Sequence, residues 1–381
     1  MKPLIASFVV MILLCAFSFP LSAEEEYVMP ETPDLDRAVD DLDREIQETY
    51  DDFSLKSYYE SFKNGEISFD FPNLAKAFFQ MTFKELNVFM LLLAQLFFLG
   101  IIAAVFQTFQ SGFSQGGISA LGQWVIFLAF AVIGMRSFRL AFDLGTSAIS
   151  DASNFLYALL PVLLGMLSSL GGLASMAVVK PTLLAMITLF LGILERFFMP
   201  LIIFMAVLAL VGNISPQYSF ENLRRLIRDV ILIGLGFMMT IFTGLLGLES
   251  LATGAIDGMT MKTAKMAAGN FIPVVGRHIS DALDSILGAS LLMKNCIGFF
   301  GIFAVIIVIA MPSLKIFLMS LIYRLAAAVL QPFGQNNYTE MLNQFSSVLT
   351  VLFALVASTG ILFFFLIFTV VLLGNITMMF R

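Results

Sequence analysis

The chain has 381 residues, 59% of them hydrophobic and only 13% charged, with a formal net charge of −6 and a mean hydropathy of +0.93. An ordinary soluble domain is about 25% charged, so there is too little polar surface here to cover a water-soluble core. A soluble globular enzyme, a disordered chain and, without any basic excess, a nucleic-acid binder are excluded. The charge is also unevenly placed. Residues 24–86 carry 17 acids and 6 bases, a net of −11; residues 87–381 carry 10 acids and 14 bases, a net of +4; Lys2 supplies the rest. The chain therefore reads as an acidic, water-seeking head ahead of a mildly basic, lipid-soluble body.

At the N-terminus Lys2 precedes an apolar run from Leu4 to Phe19, followed by Pro20, Leu21, Ser22, Ala23 and then Glu24. A positive start, a short apolar stretch and a small residue before the charges are the parts of a secretory signal peptide, covering 1–23. Cleavage between Ala23 and Glu24 is favoured over an uncleaved anchor, and both put the head outside the membrane. Cys15 lies inside the signal segment and lacks the small residue before it that lipid attachment needs, which leaves Cys296 without an intramolecular disulfide partner in the mature chain.

The head, 24–86, carries Leu35, Val39, Leu42, Ile46, Tyr50 and Phe53 at three- and four-residue intervals with acids between them, the pattern of an amphipathic helix. Thr32 suits its N-cap and Pro33 its first turn. Such a stripe must pack on the rest of the head, on the membrane surface or on a partner. Phe69, Phe71, Leu74, Phe78, Phe79, Met81 and Phe83, with Lys76 and Lys84, predict an interfacial helix leading into the bilayer.

The body, 87–381, predicts an all-α polytopic membrane domain. At about 20 residues per crossing, spans fall near 87–107, 118–135, 153–179, 230–249, 295–311, 314–331 and 347–374. Between them, 182–211 is long for one crossing and short for two, with Glu195, Arg196 and Pro200 in its middle. It is either a broken helix or a hairpin turning at Glu195-Arg196. The hairpin is preferred, because 219–229 would then form a cytoplasmic interfacial helix with Arg224, Arg225 and Arg228 on one face. The total is seven or eight spans, and counting bases on the two sides does not decide between them.

No motif for nucleotide binding or nucleophilic catalysis occurs, so no enzyme activity, catalytic residue or cofactor is assigned. His278, Asp281 and Asp284 follow one another along a single helix face; that line does not close a tetrahedral site, so no metal is assigned either. Charged groups inside apolar segments mark a pathway or a partner. The candidates are Glu195, Arg196 and Arg324, together with Asp257, Lys262, Lys265, Asn270, Arg277, Asp281 and Lys294 in the glycine-interrupted stretch 251–295. That stretch is either a re-entrant pore element or a surface loop with two amphipathic helices. Mutual neutralisation is the plain alternative for Glu195 and Arg196.

The string from Asp257 to Gly276, containing Thr263-Ala-Lys265 and Gly269-Asn-Phe-Ile-Pro-Val-Val-Gly276, continues through Ser280-Asp281-Ala282 and Ser290-Leu-Leu-Met-Lys294-Asn295. It resembles the stage III sporulation protein AE family, and the layout of signal peptide, acidic head and polytopic body agrees along the mature chain. The resemblance implies a protein made in the mother cell of an endospore former and placed in the membrane around the forespore. There it would be a core component of a channel or secretion complex needed for forespore development. Its implied partners are the other proteins of the same operon, including a separate ATPase and ring-forming subunits, besides the lipid bilayer; homo-oligomerisation stays open. A self-sufficient small-solute permease, or a scaffold anchoring ring proteins through the head, are the alternatives.

Overall fold

The computed structural model describes residues 33–49, 54–63, 89–106, 117–170, 173–213, 220–271, 276–333 and 336–379; within these helices the side chains of 250–287 and of some terminal residues fall outside the description. The signal peptide with Ala23 and Glu24, Thr32 and the expected interfacial helix lie outside the described residues. The fold is all-α and polytopic. Among the described residues the head has two helices, α1 (Pro33–Thr49) and α2 (Leu55–Lys63). Six helices form the body: α3 (Phe89–Phe106), α4 (Gly117–Ser169), α5 (173–211), α6 (Glu221–Phe271), α7 (Gly276–Leu330) and α8 (Asn336–Met379). Each has a stretch long and apolar enough to cross a membrane.

The structure thus has six long apolar helices among the described residues, where the sequence suggested seven or eight spans. The expected spans 118–135 and 153–179 are not separate. Residues 136–152 continue the helix, Pro161 sits inside α4, and α4 runs on to Ser169. Likewise 295–311 and 314–331 join in α7, with Pro312 inside. A lone proline removes one backbone bond, and in a packed bundle neighbouring helices compensate for it. The expected hairpin at Glu195-Arg196 is absent. Helix α5 runs through a π-turn at Leu194–Phe198, where the Met199 N–H donates to Leu194 O. Pro200 lacks the N–H that would reach Arg196, and widening the turn by one residue accommodates that loss. The separate interfacial helix over 219–229 is instead the first three turns of α6.

Helix α8 is the axis. It is the most buried of the six, whereas α3 is the least, and α4, α6 and α7 all pack along it. Close approach depends on glycine. A Cβ on Gly298 would run into Val371, one on Gly301 into Leu159, and one on Gly360 would stand 2.8 Å from Ile309. Small residues matter here because lipid is as apolar as the helices, so contact distance rather than water exclusion drives association. Phe345, Phe363 and Tyr323 fill the space between, all fully buried.

The head's stripe packs on the rest of the head and on the body. Leu35, Val39, Leu42, Leu55 and Tyr59 are buried, the Tyr59 ring lies 4.9 Å from that of Phe300, and Tyr58 lies 5.5 Å from Phe303. The acids of α1 organise α2. Asp43 accepts from the Lys56 N–H at 3.1 Å and from Ser54 Oγ at 3.3 Å, while Ser54 caps the Ser57 N–H at 3.2 Å. One turn earlier Asp40 pairs with Lys56 at 2.8 Å, and one turn before that Asp36 accepts from the Tyr59 hydroxyl at 2.7 Å. The hydrogen bond and charge of Asp40 hold the Lys56 ammonium above its ordinary value of 10.5. That contact is complete at pH values below 10.5 and is lost as pH rises through the raised value.

Leucine at Gly298 should therefore cost about 1–3 kcal/mol through overpacking. Leucine at Gly247, which has no heavy atom within 4 Å of its Cβ position, should cost nothing. Thermal unfolding of the detergent-solubilised protein distinguishes the two; equal stability would contradict the close-approach reading.

Candidate functional site

Two polar regions are built into this apolar bundle. The first lies near the end that carries the head. Lys294 on α7 is fully buried, and its ammonium donates to Val371 O on α8 at 3.1 Å. Its tip occupies the space beside Gly374, where any Cβ would collide with Nζ. Next to it Asn295 Nδ2 donates to Asn375 Oδ1 at 3.2 Å, while Asn295 Oδ1 has no hydrogen-bond partner. The lysine makes one hydrogen bond with three donors, and a membrane bundle keeps such a group at considerable cost.

The second region lies at the opposite end. Helices α6 and α7 each pack on α8 but touch one another little, and the gap is a cavity of about 1130 Å³. Arg224, Arg225, Arg228, Arg324, Glu221 and Glu340 surround its polar end. Arg225 pairs with Glu221, and Arg228 with Asp229 at 2.9 Å. Asn213 Nδ2 donates to Gln344 Oε1 at 2.9 Å and Gln344 Nε2 to Glu340 at 3.1 Å, so a polar chain ties α5 to α8 beside the arginines. Deeper in the bundle Ser320 Oγ donates to Ser346 O at 2.9 Å and meets Thr350 Oγ1 at 2.7 Å. Tyr323 donates to Ile133 O at 3.1 Å. These bonds bring the α4, α7 and α8 backbones into register and satisfy each hydroxyl without water.

The residues singled out from sequence do not form one site. Lys294 is in the buried cluster and Arg324 is exposed at the cavity. Glu195 and Arg196 stand exposed on the π-turn; among the described residues they do not pair with each other, so mutual neutralisation is not what holds them. Asp257, Lys262, Lys265 and Asn270 lie on the extension of α6, and Arg277 and Asp281 on the first turns of α7. Their backbone is helical over 251–271 and 276–295, and their side chains, like those of His278 and Asp284, lie outside the described residues.

Sequence reasoning missed the hydroxyl contacts and the inward turn of Arg224, which is only 6% exposed. A signal existed for the first: Ser346 and Thr350 recur at i, i+4, and Ser313 and Ser320 two turns apart, within otherwise apolar runs. Nothing in the spacing of Arg224, Arg225 and Arg228 shows which one turns inward.

If Lys294 is retained for a role other than stability, Lys294→Met, which keeps its length and drops its charge, should leave the purified protein as stable as the native one or more so, by up to about 3 kcal/mol. A loss of that size in the melting curve would instead make the ammonium–carbonyl bond a net support of the fold.

A family model described as stage III sporulation protein AE matches residues 53–374, a range that takes in α2, five of the body helices whole and nearly all of α8, but leaves out α1. The chain is similar to the stage III sporulation protein AE of Bacillus subtilis (strain 168), at 34% identity over 328 residues, which are 86% of this chain and 82% of that protein. No solved structure matches. The chain belongs to the stage III sporulation protein AE family, and so to the proteins of sporulation.

Proposed function

We propose that this chain is the non-enzymatic membrane core of a channel or secretion complex in sporulation. It would sit in the mother-cell membrane around the forespore, with its head on the extracytoplasmic side. The observation that carries the reading is the separation of two unlike ends. A small acidic head is fixed by Tyr58 and Tyr59 to one end of the bundle, and the arginine-lined cavity lies at the other. With the head exported by its signal peptide, its end would face away from the mother-cell cytoplasm, and single crossings by α3, α4 and α5 would bring the start of α6 to the cytoplasmic side.

That geometry suits a component that meets different partners on its two sides. The exposed face of α1, with Asp34 and Asp41, would meet ring-forming subunits in the intermembrane space. The cytoplasmic end would meet the separate ATPase. The chain has no nucleotide motif of its own, and the polar groups buried in its described bundle are amides, hydroxyls, Lys294 and Arg224, a set that suits packing and binding.

A permease acting alone is the second reading, favoured by the cavity volume and by Lys294. Two experiments separate the readings. Deletion in a spore-forming host should stop spore formation and late forespore gene expression, and intact spores would overturn the proposal. Purified protein in liposomes should move no small solute without its operon partners; solute flux from the single chain would favour the permease.

A further inference from the structure

We infer that the cavity between α6, α7 and α8 is a binding site for one anionic phospholipid, its phosphate held by Arg224 and Arg324 and an acyl chain lying along the apolar wall beneath. This goes beyond the proposed channel role and stands independently of it. Three features of the cavity point to such a ligand.

The first is charge left over. Four guanidiniums line the polar end against two carboxylates. Glu221 is engaged by Arg225, and Asp229, outside the lining, takes Arg228 at 2.9 Å. Glu340 and Glu221 both act on Arg224 through space without forming an ion pair with it, so three carboxylates face four guanidiniums and one positive charge is left over. Arg224 and Arg324 therefore have no ion pair among the described residues, and a phosphodiester supplies the missing negative charge with acceptors that a guanidinium fork can grip.

The second is the pair of polar atoms that the fold buries and leaves without a partner. Arg224 is 6% exposed and its Nε has no acceptor; Ser313 is 3% exposed and its Oγ has none either. Both line the cavity. Such atoms cost free energy unless something occupies the space they face.

The third is shape and polarity. Below the arginines the wall is apolar, with Leu232, Met239, Phe317, Ala357 and Phe365 along it. From Arg224 to Met239 the cavity follows α6 for about 22 Å, deeper than one leaflet of the hydrocarbon core at about 15 Å. A soluble anion would satisfy the arginines and leave this wall empty; a neutral lipid would fill the wall and leave the arginines uncompensated. Basic pockets between transmembrane helices select lipids carrying both parts.

The test uses the full-length protein in detergent, followed by native mass spectrometry and thermal unfolding, with phosphatidylglycerol, phosphatidylcholine or inorganic phosphate added. Phosphatidylglycerol should be retained as a single adduct and should raise the melting temperature, while phosphatidylcholine and inorganic phosphate do neither. The exposed Arg324→Gln should weaken retention about fivefold, and Arg224→Gln should weaken it at least as much. Ala357→Phe, which fills the apolar wall, should abolish retention while the protein stays monodisperse. If Arg224→Gln fails to fold, Arg324→Gln and Ala357→Phe still decide. Equal retention of phosphatidylcholine, stabilisation by inorganic phosphate alone, co-purification of a polypeptide segment in the cavity, or undiminished lipid retention by Arg324→Gln or by Ala357→Phe would each overturn the inference.

Discussion

Helix α8 must be held by shape. It is apolar on every face and buried on nearly every face, and inside a bilayer burial of apolar surface supplies no driving force, because lipid chains are as apolar as leucine. What remains is close contact and a few directional bonds. Gly298 and Gly360 bring α7 onto α8, and Ser320 locks the crossing through Ser346 and Thr350. The positions of the other helices follow from this axis.

The cavity is one consequence. Two helices that both fit α8 need not fit each other, and α6 and α7 meet so little that the space between them remains open from the arginines inward. The head is another. It docks on α4 and α7 near their contact with the Lys294 end of α8 through aromatic rings, while its own acids face inward to cap and tether α2. A net charge that looks like mere solubility on paper is therefore partly structural: Asp36, Asp40 and Asp43 each hold a group of α2.

Composition and periodicity were enough for the all-α polytopic class, and the amphipathic stripe of the head is helical over Pro33–Thr49. The segmentation was less legible. Charges at Arg136, Arg139, Asp143 and Asp151 read as a loop because hydropathy averages over all faces of a helix. In the structure Arg136, Arg139 and Asp143 are exposed on one continuous helix. The same averaging cut α7 at Pro312. These errors offset one another. Joining 118–135 to 153–169 removes one crossing, and treating 173–211 as one helix removes the hairpin's second, so the start of α6 stays on the side first expected for it. The cavity was illegible for another reason. It depends on which of three consecutive-turn arginines faces α8, a matter of packing that no single-helix pattern contains.

The central claim is that six single crossings around α8 carry the head end and the arginine end to opposite sides of the membrane. Asn222 and Thr263 both lie on α6, about 62 Å apart along its axis, with the apolar stretch Glu221–Glu249 covering the first two thirds of that distance. Single cysteines at these two positions, in a background with Cys296 replaced by alanine, can be tested with a membrane-impermeant thiol reagent on intact and on opened cells. The account predicts labelling of the Thr263 position from outside and of the Asn222 position only after opening. Labelling of both from one side, or the reverse pattern, would contradict it.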